Sequence, residues 1–75
     1  MRQEFKVVVA GADKRALAAL TNASIKAAGP AESMPNRLEA WVTADSAAEA
    51  QAFVEKNLPS DGGYVIEEVT PRDNG

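Results

Sequence analysis

Cysteine and histidine are both absent from this 75-residue chain. Without cysteine no disulfide can brace a small domain, and without either residue the usual structural zinc sites are excluded. Catalysis would have to use Asp, Glu, Lys, Tyr, Ser or Thr, and no nucleophilic or acid–base pair of these is evident in the pattern. Neither an enzyme nor a cofactor is expected. Basic residues are also scarce, eight against eleven acidic ones, for a net charge of −3. They are scattered, with only Lys14 and Arg15 adjacent. Such a surface repels phosphate backbones, so nucleic acid is not an expected partner. Long hydrophobic runs are missing too. Val7-Val8-Val9-Ala10 is far too short to span a bilayer. The opening Met-Arg-Gln-Glu-Phe-Lys has no signal-peptide character. No membrane partner is expected, and together with the missing cysteines this points to a cytoplasmic location.

What is present reads as one small domain over residues 1–75, with little core to spare. A chain this short buries only roughly 60% of its unfolded surface. Phe5 to Ala10 is the clearest strand, with Phe5, Val7 and Val9 on one face and Lys6 and Val8 on the other. Asp13 is a suitable N-cap for a helix predicted from Lys14 to Ala28, whose stripe is Leu17, Leu20, Ser24, Ala27 and Ala28. Gly29 and Pro30 are read as its stop. A short edge strand around Glu32 to Met34 is one reading of the next stretch, and plain loop is the other.

Arg37 to Ala44 is a second long strand, with Leu38, Ala40 and Val42 on one face and Glu39, Trp41 and Thr43 on the other. Ser46-Ala47-Ala48-Glu49 matches a capping box, and Ala50, Phe53, Val54 and Asn57, with Leu58, form the apolar side of a helix that Pro59 ends. Ser60-Asp61-Gly62-Gly63 is a turn, and Tyr64 to Thr70 is the last strand. Its register conflicts with simple alternation unless a bulge lies near Glu67-Glu68. Pro71 to Gly75 reads as a frayed tail.

The order β-α-β-β-α-β gives an α+β two-layer sandwich, a ferredoxin-like split β-α-β arrangement with two helices on one face of an antiparallel-containing sheet. Its first and third strands are expected side by side at the centre. If residues 31–36 are loop, a three-stranded β-α-β-α-β sheet is the alternative.

Three constellations carry what functional signal there is. Glu67 and Glu68 are an obvious carboxylate pair, but neighbours on a strand point to opposite faces, and edge-strand charges are the simpler explanation. Gly11, Lys14 and Arg15 stand at a helix N-terminus, where free N–H groups favour a small anion, although Asp13 competes for them as the cap. Trp41 is the third. On a sheet covered on one side, it falls on the open face near Val8, Lys6, Glu39 and Thr43. Two readings stand for it: a docking surface, or a core residue displaced by a bulge or covered by the tail.

The layout from Trp41 through Tyr64-Val65-Ile66-Glu67-Glu68 is similar to that of protease propeptide inhibitors, although the stretch from Ala31 to Asn36 is shorter than their pattern. That resemblance, one of element order rather than of a specific motif, implies docking through the open sheet with the C-terminal tail directed at a partner. The leading expectation is a non-catalytic protein–protein interaction module, a small regulatory subunit or inhibitor that docks by its open sheet face or an edge strand. Its partner is another protein or a second copy, as in a homodimer. The alternative is a small anion- or metabolite-binding domain using the turn at Gly11, Lys14 and Arg15.

Overall fold

The alternation of the two long strands divides the molecule into a covered and an uncovered side. A computed structural model describes every residue except Met1, Ala31, Ser33, Met34, Asp73, Asn74 and Gly75. Its elements are β1 (Gln3–Ala10), α1 (Lys14–Asn22), β2 (Lys26–Ala28), β3 (Arg37–Ala44), α2 (Ala47–Asn57) and β4 (Val65–Pro71). The four strands form one sheet in the order β2-β3-β1-β4, and each neighbouring pair is antiparallel. This is an α+β structure with a four-stranded antiparallel sheet and two helices, so the three-stranded alternative is set aside.

Phe5, Val7 and Val9 of β1 and Leu38, Ala40, Val42 and Ala44 of β3 are buried on one face. Ala16 and Leu20 of α1 and Ala50 and Val54 of α2 join the same cluster, which places both helices over that face. Five of its thirteen buried members are alanine, and small side chains let short helices sit close to the strands. Among the described residues no polar or charged side chain is buried.

The first helix is shorter than its periodicity predicts. It ends at Asn22 rather than Ala28, because the chain closes it with a Schellman turn. Ser24 takes a left-handed conformation, φ 64°. Its N–H donates to the Thr21 carbonyl at 3.0 Å, and that of Ile25 donates to the Leu20 carbonyl at 2.9 Å. Leu20 and Ile25 are both buried, which supplies the apolar contact such turns use. Lys26 to Ala28 are thereby freed to form β2 against Trp41, Ala40 and Glu39.

The edge strand among the described residues therefore precedes Gly29-Pro30. Ser33 and Met34 lie outside the described residues, and Glu32 sits in a turn. Gly29 is not a helix cap. At φ 104° it brings the chain so close to β3 that a Cβ there would lie 2.8 Å from the Arg37 carbonyl oxygen.

The second helix keeps its predicted bounds. Ser46 caps it, its hydroxyl accepting the Glu49 N–H at 3.2 Å. Phe53 departs from its expected place on the apolar side and is 43% exposed. In β4 the pairing moves from Val8↔Glu68 to Val9↔Ile66, which leaves Glu67 as the extra residue of a bulge. Ile66 and Val69, three residues apart, both turn to the core as a result, while Val65 is 59% exposed. The strand also runs one residue past Thr70. Pro71 closes it, and the Arg72 N–H donates to the Glu4 carbonyl at 2.8 Å, while the rest of the expected tail, Asp73 to Gly75, lies outside the described residues.

Two substitutions check this packing. Leu38→Ala, at a site with no exposure, is expected to cost about 2–5 kcal/mol in urea unfolding. Ser24→Gly is expected to stabilise by about 1 kcal/mol or less, because glycine accepts φ 64° without steric cost. Were Ser24 inside a longer helix, the same change would destabilise by about 0.5 kcal/mol, so its sign decides where α1 ends.

Candidate functional site

The side of the sheet turned away from the helices carries the even-numbered residues of β1 and the odd-numbered residues of β3. Lys6, Val8, Glu39 and Trp41 are half-buried there, and Thr43 is exposed. None of these five belongs to the hydrophobic core or is packed against it. The register sets Lys6 of β1 and Lys26 of β2 directly opposite Trp41, one on each side. Facing Cβ atoms in such pairs are about 5 Å apart, close enough for lysine stems to lie along an indole ring. Val8 faces Glu39, one pair further along.

Ion pairs neutralise most of the charge on this face. Lys6 Nζ is 3.7 Å from Glu68, and Arg37 binds Glu67 through two nitrogens at 2.6 and 3.4 Å. Arg72 pairs with Glu4. The Glu67 carboxylate holds Arg37 above its usual pKa, and the guanidinium holds Glu67 below the ordinary carboxylate range. The bulge thus directs Glu67 and Glu68 to separate basic partners. Among the described residues no three acidic side chains gather closely enough to share a metal ion.

The turn holding Gly11, Lys14 and Arg15 is occupied by its own carboxylates. Asp13 caps α1, accepting the Ala16 N–H at 3.0 Å. The same oxygen accepts the Tyr64 hydroxyl at 2.8 Å. Arg15 is bridged to Asp61. Gly11 makes the turn at φ 72°, and Lys14 is exposed. An anion arriving here would meet two carboxylates before it reached the N–H groups.

The hydrogen bond from Tyr64, followed by that from Ala16, holds Asp13 below the usual aspartate range. Partial burial and the bond to Asp13 hold the Tyr64 phenol above its own. Asp13 and Tyr64 are 51 positions apart, and no local pattern marks them as partners. The nearest signal is Gly62, where any Cβ would lie 2.1 Å from the Tyr64 ring. Beyond this network, a shallow groove of about 280 Å³ is lined by Lys56, Leu58, Pro59, Tyr64 and Ile66.

The chain matches no family model, no curated protein and no solved structure. None of its described helices is long and apolar enough to cross a membrane.

The Asp13–Tyr64 bond has a pH signature. Because the folded-state pKa of Asp13 is depressed, its contribution is complete above the unfolded value of about 4 and disappears as pH falls through the lower, folded one. Tyr64→Phe is expected to move the Asp13 pKa up towards that ordinary value in a carboxyl NMR titration and to flatten the acid limb of the stability curve. An unmoved Asp13 titration would show that the bond is not formed in solution.

Proposed function

We propose that this chain is a non-catalytic docking module of ferredoxin-like split β-α-β build, which binds a protein partner through its helix-free sheet face as a small regulatory subunit or inhibitor. The central β1–β3 pair and the strand order support the fold assignment. The absence of cysteine supports a cytoplasmic setting. One observation carries the functional reading: the only tryptophan stands on a face that no layer of the described protein covers. The half-buried indole keeps part of its surface for a partner, and tryptophan is favoured at the centre of interfaces.

The face is a better docking element than either sheet edge. β2 has three residues, too few for an extended ladder. The bulge at Glu67, the charges beside it and the terminal Pro71 blunt the outer edge of β4. Glu67 and Glu68 are engaged by Arg37 and Lys6, and the Tyr64 hydroxyl donates to Asp13. These side chains serve the structure, which favours a binding role over a chemical one.

A photo-crosslinking residue in place of Thr43, on the face, is compared with one in place of Ala48, on α2. In native extract, protein adducts are expected from Thr43 and not from Ala48. Trp41→Ala is expected to lower their yield at least roughly tenfold in a variant whose far-UV circular dichroism shows it still folded. Adducts indifferent to Trp41 would remove this face as the docking surface.

A further inference from the structure

We propose that the occupant of the helix-free face is a second copy of this chain, related by a two-fold axis that passes beside Trp41 diagonally to the strands. This deepens the docking reading above and rests on it. The argument begins with the charges that the fold leaves over. Lys6, Arg37 and Arg72 each have a carboxylate partner. Among the described residues, the face retains one cation and one anion without an ion-pair partner, Lys26 and Glu39.

These two flank the indole in different directions. Lys26 faces Trp41 across the sheet, and Glu39 lies two residues along the same strand as Trp41. In a symmetric pair, whatever residue i does to residue j is done in return by the other copy. A two-fold that sets Lys26 of one copy on Glu39 of the other must exchange the across-strand and along-strand directions. Such an axis crosses the two sheets near a right angle, one of the two ways in which sheets pack face to face. It also brings the two indoles together at the centre, surrounded by two identical Lys26–Glu39 pairs.

The area suits a weak pair. The sheet is four strands wide and its central strands are eight residues long. Because β2 has only three residues and β4 seven, about 4.8 Å between strands and about 3.3 Å per residue give the face roughly 400 Å², so two copies cover roughly 800 Å², the range of a weak, reversible contact. Charge arranged in this way also selects the occupant. A partner bearing only acidic groups would meet Glu39 unmatched, and a basic one would meet Lys26.

Sedimentation equilibrium of the wild-type chain up to about 1 mM is expected to show a reversible dimer. Lys26→Glu and Glu39→Lys are each expected to weaken it roughly tenfold or more, and the double exchange to restore it to within about threefold. Should either reversal impair folding, Lys26→Gln and Glu39→Gln serve instead, with dimerisation weakened and its salt dependence lost. A wild type that stays monomeric to about 1 mM, or a double exchange that fails to restore association, would overturn the proposal. The Thr43 crosslinks separate the two claims. Trp41-dependent adducts to a different protein would sink the second copy and leave docking intact, whereas adducts indifferent to Trp41 would sink both.

Discussion

The antiparallel register of β1 on β3, with Val7 facing Ala40 and Lys6 facing Trp41, separates the molecule into its two sides. Side chains alternate with a period of two, so a slip of one residue in either strand would send its whole apolar set outwards. Lys6 would enter a core that holds no polar group among the described residues, and its ammonium would have no partner there. The burial pattern and the open face are therefore one constraint seen from opposite sides. Trp41 is turned to the uncovered side, half-buried, by the same alternation that buries Ala40 and Val42.

That constraint has little else to support it. Six surface ion pairs decorate the described residues, and exposed pairs contribute at most about 1 kcal/mol each. The core holds the fold, and its reliance on alanine keeps the helices close at the expense of apolar area. The ion pairs matter more for what they do to the surface. By pairing Lys6 with Glu68 and Arg37 with Glu67, they leave the sheet face close to neutral without making it apolar. A half-buried indole within such a neutral field repels neither sign of partner at long range, so selectivity comes from the few charges left over.

Features encoded by neighbouring residues were legible in the sequence. The caps at Asp13 and Ser46, the alternation of both long strands and the need for a bulge in β4 all follow from local chemistry. Elsewhere tertiary packing overrides a local period. Leu17, Leu20 and Ser24 continue a helical stripe into residues 25–28, but burial of Ile25 against Leu20 rewards a turn at Ser24 more than another turn of helix. Phe53 sits at a helical spacing that suits the core, yet Ala50 and Val54 already fill the contact. The Tyr64–Asp13 bond spans 51 residues and has no signature in any window of sequence. The position of Trp41 was legible because it depends only on strand parity, while the lysines on either side required the pairing of three strands.

The bulge in β4 joins the edge of the sheet to its face. One extra residue lets Ile66 and Val69 both turn inwards, which closes the core beneath the edge. The same residue, Glu67, projects a carboxylate to Arg37 and removes that cation from the open surface. It also interrupts the ladder that another strand would need if it were to add at this edge. Without the bulge, β4 would be a flatter strand beside an unpaired Arg37, and both edge pairing and non-specific attraction to anions would compete with contact through the face. With it, contact through the face is left to its remaining apolar groups, the exposed Val65 and the half-buried indole of Trp41.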